Sequence, residues 1–573
     1  MTIVLGVNCV YHESAAALVV EGDIVAACEE ERFNRCKHGK RAEVDSPAEL
    51  PIHAISQCLS IAGIDASDLD CVALSFSAAL RRTAFAPDLV AAPGAWGSVE
   101  GEATFAKSLA EVPGAVRRLL GPGFRGTVQE IPHHLCHAAS AFYPSGFEEA
   151  AILVADGIAE GAATVLFEGR GSNLIELEAF DYPQSIGFLW EKLSKFLGFS
   201  EYDACKTMGL AAYGNADRLR PAFASLASTE AGGSYRIDGD LAQFRAEGFD
   251  SLVPLFGRPR PPEEPLEQRH YDLAASLQEF TTEAMCGLAR RLSRLTGQTR
   301  LCLAGGVALN CVANAAIHRL GLFEDVYIPP APHDAGTAVG AALHACHRMR
   351  PGLAPRPISN PYLGPEFADG TIARTLDGIN AAAGTLEETI ERVAGIIAEG
   401  RIVAWFQGRM EFGPRALGNR SLLADPRRAD MRDILNRKVK HREDFRPFAP
   451  SVLAERASEW FEIDALTLSH GYMLYTVAAR PERQSMIPAV IHQDGSSRVQ
   501  IVTREMNPVY HALISAFERR TGVPMLLNTS FNDSEPIVCS PADALATFRK
   551  TRIDALVLGD RLVERADFEI VAA

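Results

Sequence analysis

The stretch IPHHLCHAAS, residues 131–140, places His133, His134 and His137 at the start of an apolar run with helical periodicity. If Leu135 and Cys136 are helical, His133 and His137 stand four apart on one helix face, about 6 Å apart at Cβ. Two imidazoles so spaced suit one metal ion. In the plainer reading one ring caps the helix and the others pack in a core. Asp156, in an Asp-Gly turn further on, and Asp334, in the Gly-containing loop PHDAG, would add two carboxylate oxygens. Such a set suits Fe(II), Mn(II) or Zn(II) alike.

A different chemistry gathers near the other end. Arg409, Arg415, Arg420, Arg427, Arg428, Arg432, Arg437, Lys438, Lys440, Arg442 and Arg446 crowd into one stretch of a chain with formal charge −16. A cluster of that kind needs an anion. Glycines and prolines break it into loops, and Glu411, Asp425, Asp430, Asp433, Glu443 and Asp444 interrupt it, which favours a small phosphate-bearing ligand over nucleic acid. In PMLLNTSFN, Asn528, Thr529 and Ser530 end a strand with donors suited to a planar carbonyl or a phosphate oxygen; a simple strand-ending turn is the alternative. His12, beside Glu13 and Ser14, reads as an exposed turn residue. EERFNRCKHGK, with Glu29 and Glu30 ending a strand and Lys37, His38 and Lys40 after it, reads as a solvated charged loop.

These groups need elements to position them. The opening residues give β-rich runs at Ile3 to Asn8, Ala15 to Val20 and Ile24 to Glu29, a β-meander. AAILVADGIAEGAATVLFEG repeats strand, Asp-Gly turn, strand about 150 residues later, so a duplicated α/β domain with phosphate or metal between the two turns is expected. His270 to Thr296 is helical in period and leads to the strand and turn TRLCLAGG, where Gly305 and Gly306 permit close backbone approach before a helix beginning near Ala308. The strand EDVYIPP then leads to the loop holding Asp334 and Gly336, followed by a further helix. Five prolines between Arg350 and Phe367 mark a domain boundary, dividing 1–355 from 368–573. Beyond it, TIERVAGIIAEG and ADALATFRKT read as helices, RIVAWFQG and IDALVLGD as strands.

A chain of 573 residues is too long for one core, and two or three domains are expected. With 47% apolar and 22% charged residues it is ordinary for a globular protein. No uncharged apolar run is long enough to span a membrane, and the first residues lack a basic leader, so a cytoplasmic protein is expected. Its twelve cysteines stand singly and read as reduced thiols in cores. The acidic balance argues against a nucleic-acid surface and suits a cationic partner.

Taken in order, EERFNRCKH, HHLCHAASAFYPS, VADG, CKTMGLAAYG, LAGGVALN, PHDAGTAVGAA, EFGPRALGNRSLLADPR, VKHREDFRPFAPSV and LNTSFN make the chain resemble the O-carbamoyltransferases of the nodulation-protein and cephem-carbamoylating type, from residue 2 to about residue 560. The resemblance implies an α/β protein. Its first domain would be actin-like and sugar-kinase-like, similar to the tRNA threonylcarbamoyl transferase and carrying the metal site. Its second would be YrdC-like and would form carbamoyladenylate from carbamoyl phosphate and ATP with Mg(II). The carbamoyl group would then pass to a hydroxyl of an antibiotic, an aminoglycoside such as tobramycin being the acceptor the charge favours.

By the same resemblance His133, His137, Asp156 and Asp334 hold Fe(II) or another divalent ion. His134 leaves a second histidine assignment open. His12 becomes the base, with the acceptor near it and the loop 37–40. Gly305, Gly306 and Asn310 line the adenylate. Arg415, Lys440, Arg446, Arg498, Asn528 and Ser530 surround carbamoyl phosphate and ATP. A tRNA-modifying fusion of the same two activities, and an actin-like ATPase or sugar kinase, are the alternatives. AMP with pyrophosphate as products separates the adenylate route from a kinase, which leaves ADP.

Overall fold

The computed structural model describes residues 1–40, 49–85, 87–88, 90–463 and 465–566. The chain divides into two compact units, Met1–Ile358 and Ser359–Ala573.

The first unit is built on two five-stranded sheets of the same design. In one, β1 (Ile3–Asn8), β2 (Ala15–Val20) and β3 (Asp23–Glu29) form an antiparallel meander, while β4 (Cys71–Leu74) lies parallel to β1 and β5 (Thr127–Glu130) parallel to β4. In the other, β6 (Glu149–Ala155), β7 (Ala162–Arg170) and β8 (Asn173–Asp181) repeat the meander. A two-stranded ribbon, β9 (Ala227–Thr229) with β10 (Tyr235–Ile237), follows. Then β11 (Arg300–Ala304) runs parallel to β6 and β12 (Asp325–Tyr327) parallel to β11. The strand orders β3-β2-β1-β4-β5 and β8-β7-β6-β11-β12 are one topology used twice, the actin-like duplication. The strands of the first meander match the β-rich runs read from the sequence, except that β3 begins at Asp23.

Small residues set how closely the helices approach. The helix Asp334–Met349 (DAGTAVGAALHACHRM) lies on β1 and against the helix His133–Phe142. A Cβ at Gly6 would come 1.9 Å from the Ala338 carbonyl oxygen, and one at Gly340 would come 1.8 Å from that of Cys136. Only glycine fits at either crossing. Two expectations are corrected in this region. Asp334 and Gly336 lie in the first turn of the helix rather than in a loop, with His333 as the N-cap. The helix expected near Ala308 begins at Cys311, after a 3-10 turn Gly306–Leu309, because the Asn310 side chain accepts the Ala313 N–H at 3.0 Å and caps it there.

The second unit carries a mixed seven-stranded sheet. Its strands are β13 (Val403–Phe406), β14 (Arg420–Ala424), β15 (Ala449–Leu453), β18 (Gln500–Val502), β19 (Met525–Ser530), β20 (Ala555–Leu558) and β21 (Arg561–Glu564), with a separate ribbon of β16 (Val477–Ala478) and β17 (Ser496–Ser497). The order is β18-β15-β19-β14-β13-β20-β21. Helices Leu386–Ala398, Pro508–Thr521 and Pro541–Lys550 share its core with Trp405, Phe406 and Phe517, all buried. The first starts at a capping box in which Thr385 and Glu388 satisfy each other's backbone N–H groups. Among the described residues no helix is long and apolar enough to cross a membrane. All twelve cysteines are free, and only Cys36 and Cys205 are not buried.

Candidate functional site

His133 and His137 sit in the first two turns of the helix His133–Phe142, both fully buried. Pro132, its N-cap, offers no side-chain acceptor, and Glu160 serves instead by accepting the His133 N–H at 3.1 Å and the Ser77 N–H at 2.8 Å. Asp156 follows β6, where the Gly306 N–H donates to its Oδ1 at 2.9 Å. Gly305, at φ +90°, makes that approach possible, since a Cβ there would meet the Ala155 carbonyl oxygen at 2.1 Å. Asp334 arrives on its own helix through the crossing at Gly340.

The four side chains converge on one point. His133 Nε2 lies 3.6 Å from Asp156 Oδ2 and 3.5 Å from Asp334 Oδ1; His137 Nε2 lies 3.5 and 3.4 Å from the same oxygens. One ligand atom from each residue falls within 4.8 Å of the others. His133 Nδ1 donates to the Ser75 carbonyl oxygen at 3.0 Å, which fixes the tautomer and leaves Nε2 as the ligand atom. Both Nε2 atoms are buried without a hydrogen-bond partner. Buried orphan nitrogens facing two carboxylates fit a divalent cation of the N/O-binding kind. Burial opposes charge on His133, yet Asp334 and Asp156 hold its imidazole well above its ordinary value, and His137 is raised by the same carboxylates. A cation must therefore displace protons here. His134 stands outside the group, and burial pushes its ring down to about 3.

The expected adenylate-lining residues divide. Gly305 and Gly306 border the Asp156 turn. Asn310 caps its helix and exchanges amide hydrogen bonds with Gln278 at 3.0 and 3.1 Å, so its side chain is already committed.

The segment 29–40 corrects much of the solvated-loop reading: it holds a short helix, Glu31–Asn34, and a 3-10 turn, Lys37–Gly39, and Glu29, Glu30, Arg32 and Lys40 are buried, while Lys37 is exposed as expected. Arg32 forks onto Glu29 at 2.6 and 2.9 Å, Glu30 accepts the Ala54 N–H at 2.8 Å, and Lys40 donates to the Cys9 carbonyl oxygen at 2.7 Å. Paired partners are what allow charges to be buried there. His12 is not simply an exposed turn residue either; it is half-buried and its Nδ1 is hydrogen-bonded to the Glu13 carboxylate.

In the second unit Lys440 and Ser530 come together. Lys440 Nζ donates to Ser530 O at 2.5 Å, Ser530 Oγ at 3.2 Å, Asn532 O at 2.9 Å and Asn532 Oδ1 at 2.6 Å. Burial, then Arg442 and Arg446, hold its amine well below the ordinary lysine value. Arg446 thus belongs to the same field. The Asn528 amide donates instead to Ala416 O, Ser451 Oγ and Gln500 Oε1 between 2.9 and 3.1 Å. Arg498 Nε is buried without a hydrogen-bond partner, and Arg415 is half-buried. Part of the basic cluster is structural. Arg420, fully buried, donates to five backbone carbonyls and stacks on Phe406 at 3.6 Å, while Arg427 forks onto Asp425.

Residues the sequence reading missed are Ser75, Glu160, Glu13 and Asn532. Glu13 had a signal in standing next to His12. Ser75 acts through its carbonyl and left none.

Two family models match the chain: carbamoyltransferase N-terminus over residues 3–343 and carbamoyltransferase C-terminus over 394–565. An uncharacterised protein of Synechocystis sp. is 40% identical over 610 residues, covering 97% of this chain and 96% of that one. Nodulation protein NolNO of Sinorhizobium fredii is 39% identical over 575 residues, 97% of this chain and 80% of that protein. The 3'-hydroxymethylcephem-O-carbamoyltransferase of Amycolatopsis lactamdurans is 38% identical over 295 residues, 51% of this chain and 54% of that one. Among solved structures, full-length HypF in the phosphate- and nucleotide-bound form is 14% identical over 62% of this chain and 56% of its own, with a TM-score of 0.35, too low to bear on function.

Proposed function

The chain belongs to the carbamoyltransferase family and is a carbamoyltransferase; from that premise we propose an ATP-dependent O-carbamoyltransferase working in two half-reactions. In the second unit, water releases phosphate from carbamoyl phosphate to leave carbamate. A carbamate oxygen then attacks the α-phosphorus of Mg(II)-ATP, carbamoyladenylate forms and pyrophosphate leaves. In the first unit, the acceptor hydroxyl oxygen bonds to the carbamoyl carbon, the bond from that carbon to the phosphate oxygen breaks, and AMP departs with the electron pair.

The quartet His133, His137, Asp156 and Asp334 carries this reading, because two unpartnered imidazole nitrogens facing two carboxylates have no structural purpose of their own. Bound there, Fe(II) or another divalent ion supplies Lewis-acid stabilisation to a phosphate or carbonyl oxygen. The protein's own groups do the rest. Ser75 holds the His133 tautomer, Gly306 aims Asp156, and the Gly305–Gly306 backbone leaves room for the adenylate phosphate. His12 accepts the hydroxyl proton; burial lowers its imidazole below the ordinary value, so the ring is an unprotonated acceptor at neutral pH. In the second unit Lys440, Ser530, Arg446, Arg415 and Arg498 meet the phosphates, and Asn528 supports the wall behind them.

For the acceptor we favour a cationic alcohol of the aminoglycoside type. The charge of −16 steers such a molecule inward. Glu191, whose carboxyl is pushed up to about 8 by burial and lies beyond Gly157, would be held ionised by an ammonium group. The test is incubation with ATP, Mg(II), carbamoyl phosphate and a panel of aminoglycosides and other antibiotic alcohols. AMP with pyrophosphate and a mass gain of one carbamoyl group are expected; ADP as the only nucleotide product contradicts the reading.

A further inference from the structure

Beside the quartet, His12 and Glu13 in the turn after β1 meet His38 from the 3-10 turn Lys37–Gly39, and the transfer chemistry above uses His12 but neither of its two neighbours. Glu13 spans two imidazoles: its Oε2 meets His12 Nδ1, and its Oε1 meets His38 Nδ1 at 2.6 Å. Tyr11, Glu13 and His38 all hold left-handed backbone, with φ of +58°, +54° and +66°. Non-glycine residues keep that conformation only where their surroundings over-determine it. Here they do. Asn8 Nδ2 donates to the carbonyl oxygens of His12 at 3.2 Å and Glu13 at 3.1 Å; the Ser14 N–H donates to His38 O at 3.1 Å; the His38 N–H donates to Glu31 Oε2 at 2.8 Å. Tyr202 closes the third side, stacked on His38 at 4.2 Å between centroids and edge-on to His12 at 5.4 Å.

We propose that Glu13 is a positioning residue that locks His12 and His38 into one orientation and one tautomer, each donating Nδ1–H to its own carboxylate oxygen and keeping Nε2 as a proton acceptor. An ionised carboxylate only accepts hydrogen bonds, so the single N–H of a neutral ring facing it must sit on Nδ1. Burial lowers both imidazoles, which makes neutral rings the resting state. Besides Glu13, which contacts both rings, the titratable and charged groups facing His12 are Asp334, His38, Asp156 and Lys40, and those facing His38 are Glu31, Lys37, Glu29 and Arg32. When His12 Nε2 takes the acceptor's proton, Glu13 stabilises the imidazolium that forms, as an acidic partner does in hydrolytic triads. With ring centroids 6.0 Å apart, His38 Nε2 is placed to receive a second donor on the same acceptor molecule. The substrate class this fits is an alcohol with another hydroxyl or an ammonium near the reacting hydroxyl.

The inference rests on the reading of His12 as base, and one set of variants separates the two. Transfer from supplied carbamoyladenylate is measured for Glu13→Gln, Glu13→Asp, His38→Phe and His12→Ala, with circular dichroism as the folding check. Glu13→Gln should lose kcat by at least about a hundredfold, with the acid limb of its pH profile moved downward because the imidazolium has lost its carboxylate. His38→Phe should act mainly on KM. Glu13→Asp, which keeps the charge, should restore the limb. In the intact enzyme, 15N spectra should show Nδ1–H on both rings, a readout that stands even if a variant fails to fold. Full transfer by Glu13→Gln alongside loss in His12→Ala overturns the inference; full transfer by His12→Ala overturns the reading beneath it. A second equivalent of bound metal that disappears in Glu13→Gln also overturns it, since the three groups would then be ligands.

Discussion

The two polar centres of this chain are built in opposite ways. In the first unit four side chains from three stretches of chain meet, and the atoms that matter, Nε2 of His133 and of His137, have no hydrogen-bond partner. In the second, the cations that dominate the sequence are mostly tied to the protein itself, Arg420 to carbonyls and Arg427 to Asp425. Unpartnered groups mark the first site. In the second, the buried Arg498 Nε has no hydrogen-bond partner, and the Lys440 amine, held low by burial and by Arg442 and Arg446, would have its charge favoured by an arriving anion.

The sharpest way to break this contrast is to remove the orphan nitrogens. His133→Ala together with His137→Ala should take bound metal from one equivalent to none, read by elemental analysis, and should lower transfer by at least about a hundredfold. Lys440→Ala should lower ATP–pyrophosphate exchange by about a hundredfold while metal content stays at one equivalent. Gly340→Ala tests how the first centre is assembled. Its Cβ would meet the Cys136 carbonyl oxygen at 1.8 Å, so the helices must part; a stability loss of about 1 to 3 kcal/mol by denaturant unfolding and weaker metal binding are expected.

Acidity offers a gentler probe. His133 and His137 are held above the ordinary imidazole value by Asp156 and Asp334, so protons compete with the cation over a range reaching higher pH than for free imidazole. Metal affinity should rise with pH and be lost as pH falls, with proton release on binding seen by calorimetry in buffers of different ionisation heat. The smallest effect belongs to Asn310→Ala, which should cost about 1 kcal/mol as a lost helix cap. If it instead raises KM for the adenylate at unchanged stability, Asn310 touches ligand.

Much of the first centre was legible in the chain. The spacing of His133 and His137 and the Asp-Gly turn at Asp156 announce themselves, and both meanders follow from β-rich runs broken at turn residues. Asp334 read as a loop residue because the glycines around it look like turn signals, whereas Gly336 and Gly340 are there to let a helix press against the Ala331 and Cys136 carbonyls. The charged segment 29–40 misled for a related reason. Its formal charges look solvated until the partners that permit burial, Glu29 for Arg32 and the Cys9 carbonyl for Lys40, are seen in space. In the second unit the Arg run could not be sorted from sequence, because a buried structural arginine and a ligand-binding one differ only in what faces them.

One measurement bears most directly on the division of labour between the units: carbamoyl transfer from synthetic carbamoyladenylate to an acceptor alcohol, run side by side for the Lys440→Ala protein and the doubly substituted His133, His137 protein. The lysine variant is expected to transfer at the parent rate and the double variant not at all. Equal rates in the two proteins, whether both active or both silent, would contradict it.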